Sequence, residues 1–296
     1  MNIDNTFTLK DGRKLGYAEH GDLAGFPVFG LHGTPGSRVW FTEEDETLQK
    51  LNIRFITTDR PGYGISDFYP DRKIIDYAQD IAQLADHLSI DKFSVMGVSG
   101  GGIFAATCAH ELPTRVIKAG LISTTDEFEK GRPPKEMSRE NRTAFNLARR
   151  LPWLLKFVFW QQKKVLDRHP DKYIAGVRKN IGHLCPSDQA VMKQEGIAET
   201  MLEHMREALR PGVEGIVSEA KLATGKWGFD VANIQVPVEV WHGTADTMAP
   251  VSAIEQLATK IPHCETHFIK DKGHFLTEDI ALWEAILSSM KASQAI

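Results

Sequence analysis

A chain of 296 residues, 42% hydrophobic and 25% charged, is long enough to bury a complete core and to carry an insertion. Its formal net charge of −4 excludes a general electrostatic pull toward nucleic acid or an anionic membrane surface. No apolar run approaches the ~18 residues of a membrane span.

The three cysteines, Cys108, Cys185 and Cys264, are far apart. They form neither a disulfide framework nor a zinc spacing, which implies a reducing compartment. The sequence opens without the basic and then apolar regions of a secretion signal, so the expected location is cytoplasmic.

In chain order, residues 6–9 and 15–19 flank Asp11-Gly12, a turn dipeptide that predicts a β-hairpin. The short apolar runs 27–31 and 53–58 precede glycine- and proline-rich loops and read as buried parallel strands. Ile74, Tyr77, Ile81, Leu84 and Leu88 recur at spacings of three and four, one face of an amphipathic helix. Strand 92–96, helix 102–110 and strand 116–122 continue the alternation. It resumes with strand 236–241, helix 252–260, strand 265–269 and helix 279–290. This pattern predicts an α/β fold with right-handed crossovers and a mostly parallel sheet flanked by helices.

Residues 126–230 have a different character: few β-branched runs, many Arg, Lys, Glu, Leu and Met, and prolines at 152, 170, 186 and 211. They predict a helical cap inserted into a core domain built from 1–125 and 231–296. The cap would lie over the edge where open α/β sheets bind ligands.

Gly97-Val98-Ser99-Gly100-Gly101 stands between a strand and a helix. A serine in so sharp a turn presents its hydroxyl above a helix N-terminus, and small neighbours let the two backbones approach. Serine is a weak nucleophile unless a base and an orienting carboxylate are at hand. The loops after the last two strands offer Asp246 and His274, on the sheet edge where Ser99 emerges. Two main-chain amides would receive the oxyanion. Gly100 offers one, and Thr34 in the rigid loop His32-Gly33-Thr34-Pro35-Gly36 offers the other.

The motif set of residues 32–36, Asp59-Arg60-Pro61-Gly62-Tyr63-Gly64-Ile65-Ser66, residues 97–101, Trp241-His242-Gly243…Asp246 and Gly273-His274-Phe275 resembles the α/β-hydrolase family. The resemblance covers roughly residues 6–125 and 230–290 and keeps the family's order, Ser, Asp, His. It implies Ser99 as nucleophile, His274 as base, Asp246 as acid and the Thr34 and Gly100 amides as the oxyanion hole. It further implies a carboxylesterase acting on a small or medium ester through an acyl-enzyme, with no cofactor and no metal. No residue is assigned to substrate binding, because the cap matches no particular subfamily.

Rival readings stay open at this point. Asp126, after strand 116–122, is a second position for the acid. His263 and His267 compete with His274 but fall before and within the last strand. His32 and His242 sit in His-Gly turns, where a role in holding loop backbone fits better than metal binding. The run 97–102 lacks the order of a dinucleotide loop. The apolar stretch 152–160 is expected to pack the cap on the core, or to line an acyl pocket with some of its aromatics. Glu195, Glu199, Glu203 and Glu207 recur every four residues and are expected to face solvent. If instead they receive a cation, an aminopeptidase of the proline iminopeptidase type is the alternative. The loop 32–36 is similar to that group's, with Thr34 replacing a glycine. Lactone or carbon–carbon bond hydrolysis, and a non-catalytic ligand-binding role on the same fold, are further readings.

Overall fold

In the computed structural model, which describes residues 2–41 and 45–291, eight strands form one sheet in the order β1-β2-β4-β3-β5-β6-β7-β8. The strands are β1 (Asn2–Thr8), β2 (Lys14–Gly21), β3 (Phe26–Leu31), β4 (Ile53–Thr58), β5 (Phe93–Val98), β6 (Val116–Ile122), β7 (Val238–Gly243) and β8 (Cys264–Ile269). β1 and β2 form the expected hairpin, with Gly12 at φ 89° in its turn, and β2 pairs antiparallel with β4. The remaining pairings are parallel.

Strand alternation sends side chains to two apolar layers. Phe29, Val95, Leu121 and Val240 point toward α2 (Asp76–His87), α3 (Gly101–Glu111) and α10 (Val251–Lys260). Val28, Met96, Ile122 and Trp241 point toward α1 (Asp45–Lys50) and α11 (Ile280–Ser289). α3 is buried over most of its length, which explains why it is apolar all round rather than striped. In the second layer Trp283 stacks on Phe41 at 5.5 Å between centroids and meets Phe55 edge-on.

Several boundaries differ from expectation. The strand predicted at 236–241 runs from Val238 to Gly243, starting later because Pro237 has no N–H to give a ladder. The strand predicted at 6–9 begins already at Asn2, and the one at 92–96 runs on to Val98. The six-residue helix α1 was not foreseen, being too short to show a helical period.

Between β6 and β7 the chain forms α4 (Arg139–Arg150), α5 (Pro152–Arg168), α6 (Pro170–Lys179), α7 (Pro186–Met192), α8 (Ile197–Ala208) and α9 (Glu214–Ala223). Pro152, Pro170 and Pro186 each occupy a first helical position, where the missing N–H costs nothing and the fixed φ suits the helix. Among the described residues no helix is long and apolar enough to cross a membrane.

Register determines where the site lies. Leu31 is level with Gly97, Val98 with Ile122, and Gly243 with Ile269. The loops that follow β3, β5, β6, β7 and β8 therefore leave the same edge.

Candidate active site

Ser99 follows β5 at φ 54°, a left-handed conformation that a non-glycine residue holds only where its surroundings enforce it. The enforcement is visible on both sides. Its N–H donates to Ile122 O at 2.8 Å, and its carbonyl accepts from Thr124 Oγ1 at 2.7 Å. A Cβ at Gly97 would meet Gly101 O at 2.2 Å, and one at Gly101 would meet Leu31 O at 2.3 Å. Glycine is required at both flanks because strand, turn and helix pass in direct contact.

The loop after β3 is held from behind. Arg60 donates to the carbonyls of His32 and Gly33, and His32 donates from Nδ1 to Gly33 O at 2.7 Å. Burial, with the Arg60 charge, holds His32 far below its ordinary pKa, so the ring is neutral. With those carbonyls engaged, Thr34 lies against the turn that carries Ser99. A Cβ at Gly100 would fall 2.2 Å from Thr34 Oγ1 and 3.5 Å from Thr34 N. Among the described residues no acceptor takes the Thr34 or Gly100 amide.

On the neighbouring loops His274 donates from Nδ1 to Asp246 Oδ2 at 2.7 Å, and both residues are buried. Asp246 Oδ1 accepts from the amides of Met248 and Ala249 at 2.7 and 2.8 Å. Burial opposes ionisation of Asp246, yet the His274 ring, with the His242 ring and the Ala249 amide, holds it below the usual carboxylate range. Burial likewise opposes a charge on His274, and the Asp246 carboxylate outweighs it, leaving the imidazole above its ordinary pKa. A proton fixed on Nδ1 leaves Nε2 as the basic nitrogen. No hydrogen bond joins Ser99 to His274 among the described residues; the sheet edge alone brings their loops together.

The rivals lie elsewhere: His263 is exposed ahead of β8. Asp126 pairs with Lys260, away from the imidazole. His267 stacks on Trp241 at 3.9 Å, and His242 is buried and donates from Nε2 to Ala249 O at 2.8 Å. Glu195, Glu199 and Glu203 are exposed as expected. Glu207 is half-buried and bridges to Arg38 at 2.6 Å, a structural pairing that the four-residue spacing does not reveal.

A cavity of about 190 Å³ opens over Ser99, Gly100 and Thr34. Ile103 and Phe104 form its floor, while Phe145 of α4, Phe159 of α5 and Ala220 of α9 close it from the other side. From the stretch 152–160, Phe159 thus lines the cavity and Leu155 packs inside, whereas Trp153, Phe157 and Trp160 stay exposed. Those three neither pack the cap on the core nor line the cavity, the two roles expected of the stretch.

Two residues with no sequence signal complete the site. Glu219, buried on α9, faces the cavity and takes a bidentate pair from Arg60 at 2.7 and 2.8 Å, one bond from Arg72 at 2.8 Å and one from Thr34 Oγ1 at 2.5 Å. Burial alone would raise its pKa, but the two guanidinium charges bring it down to about 2. Asp188, buried on α7, accepts from the amides of His274 and Phe275 at 2.8 and 3.1 Å. It enters because residue 273 is glycine; a Cβ there would meet Asp188 Oδ2 at 2.2 Å.

Known proteins share this architecture. A non-heme chloroperoxidase of Streptomyces lividans is 28% identical over 247 residues, 83% of each chain. A proline iminopeptidase of Clostridium botulinum is 24% identical, over 84% of this chain and 83% of that one. The structure of an esterase from Exiguobacterium antarcticum aligns at TM-score 0.74 and 19% identity, covering 98% of this chain and 100% of that one. The alpha/beta hydrolase fold family matches residues 27–279, and the chain belongs to it.

Proposed function

We propose that this hydrolase is a serine carboxylesterase, with residues 126–230 acting as a cap over its site. Ser99 attacks the acyl carbon of a small or medium ester while His274 Nε2 takes its proton. The amides of Thr34 and Gly100 receive the oxyanion, a contribution of a few kcal/mol per donor. His274 then protonates the departing alcohol, and a water activated by the same ring releases the acid and frees Ser99. The carrying observation is the buried 2.7 Å bond between His274 and Asp246, on the sheet edge that also presents the strained Ser99.

The charge balance of the cavity favours an ester over a peptide with a free amino terminus. An amine entering a closed site needs an unpaired carboxylate. The buried carboxylate there, Glu219, is already matched by two arginines, so the cluster carries an excess positive charge. The test is to compare p-nitrophenyl acetate and butyrate with proline p-nitroanilide, and to map the adduct left by an organophosphonate. Preference for the esters, with a single adduct on Ser99, supports the reading. Faster anilide turnover would make the protein an aminopeptidase, and an adduct elsewhere would remove Ser99 from its role.

A further inference from the structure

The helix α5 carries apolar side chains on two opposite sides. Leu155 and Leu166 are buried and Phe159 lines the cavity, so one side is fully used by the fold. The other side presents Trp153, Phe157 and Trp160 at 66%, 50% and 44% exposure. Their spacing of four and three puts them in one stripe along the helix. Lys164 extends the stripe, its Nζ 3.4 Å from the centre of the Trp160 ring. Large aromatic side chains in a contiguous exposed row mark a surface that meets something.

The charge around this row is strongly segregated. Residues 139–180, which hold α4, α5 and α6, contain eleven Lys and Arg against three Asp and Glu, in a chain whose net charge is −4. None of those eleven cations is buried. Lys156, Lys163 and Arg178 pair with Glu214, Asp167 and Glu199, while Arg150, Lys164, Arg168, Lys172 and Lys179 are in none of the ion pairs that the described residues form. The near-neutral total therefore conceals a locally basic segment, and the composition argument against anionic surfaces fails there. A second copy is a poor occupant, since a two-fold contact would set the same basic surface against itself.

We infer that the outer face of α5 docks on an anionic phospholipid surface. Tryptophan and phenylalanine settle at the depth of the headgroups, and lysine and arginine engage the phosphates beside them. The row stands on the outer, convex side of a helix, which suits a planar bilayer better than a partner needing a groove. Docking there places α4 and α5, which close the cavity over Ser99, against the lipid. If the esterase reading holds, esters dissolved in that surface reach the site from the cap side. The docking itself does not depend on that reading.

The test is flotation of the whole protein with vesicles of phosphatidylglycerol and phosphatidylcholine, beside pure phosphatidylcholine, at low and high salt. Binding should be roughly tenfold or more stronger to the anionic vesicles and should fall as salt screens the contact. Trp153→Ser with Phe157→Ser, and separately Arg150→Glu with Lys164→Glu, should each lose roughly tenfold or more. Both should keep wild-type turnover of p-nitrophenyl acetate, which reports that they fold. Ser99→Ala should bind like the wild type, which separates a failure of docking from a failure of the esterase assignment. The proposal is overturned by absence of binding to anionic vesicles at low salt, or by binding that survives both double variants. It is equally overturned by a concentration-dependent dimer that the aromatic variants dissolve, or by an oligonucleotide bound in preference to the vesicles.

Discussion

Asp188 is a carboxylate from a distant helix that acts on the imidazole proposed as the base. It accepts the amides of His274 and Phe275, so it orients the loop that carries the imidazole, and its charge adds to that of Asp246 in raising the His274 pKa against burial. A general base works in its neutral form, so kcat/KM should rise with pH through this pKa. Asp188→Asn removes the charge but keeps an acceptor. The rising limb should move to lower pH, toward the ordinary histidine value, with KM little changed. Asp188→Ala should lose kcat as well, because both amides are then buried without a partner. A drop in rate with an unmoved limb would reduce Asp188 to a structural residue. At the reacting atoms, Ser99→Ala should cost roughly four decades in kcat with the melting temperature unchanged. Asp246→Asn should cost on the order of 10⁴ through the wrong imidazole tautomer, while Asp126→Asn should be mild. Steady-state rates on p-nitrophenyl acetate check all three, and a reversed ranking of the two aspartates would relocate the acid.

At the scale of elements, α9 is pinned to the sheet by Glu219. The carboxylate joins Arg60, Arg72 and the Thr34 hydroxyl in a buried cluster, so it holds the helix and the loop after β3 together. Glu219→Gln would leave two guanidinium groups without their counter-charge, a loss of about 3–5 kcal/mol for a broken buried pair. The pH dependence follows from the direction of the shift. The folded pKa of about 2 lies below the ordinary value of 4.5, so this stability is fully present above about pH 4.5 and is lost as pH falls toward 2. The gap in melting temperature between wild type and Glu219→Gln should therefore be widest near neutrality and narrow on acidification from pH 5 to pH 3. A gap independent of pH would show that the carboxylate is not ionised in the folded state.

At the scale of the molecule, the helices between β6 and β7 are tied to the sheet at separate places. Glu219 reaches Arg60 and Arg72, Asp188 reaches the His274 loop, and Glu207 reaches Arg38, which also binds Asp59 at 2.9 Å. Since the ties come from α7, α8 and α9, these helices cannot leave without exposing buried charge. Calorimetry should accordingly give one unfolding transition for the whole chain. An earlier, separate transition that abolishes activity while leaving the sheet folded would contradict this.

The α/β alternation, the parallel sheet and the Ser99, Asp246 and His274 loops were legible from residue order. Each depends on a local period or turn: strand runs of five to seven residues, the helical spacing from Ile74 to Leu88, and glycines packed around Ser99. The Asp246–His274 bond was legible too, because parallel strands bring consecutive loops to one edge. Tertiary structure alone decided that Glu219 and Asp188 face the site, that Glu207 is paired while Glu203 is exposed, and that α5 turns Phe159 inward and Trp160 outward. The reason is physical. A secondary element is selected by contacts within a few residues, which sequence spacing records. The partner of a charged or aromatic side chain is selected by close packing across long separations, such as the 159 residues between Arg60 and Glu219, and no local period encodes that choice.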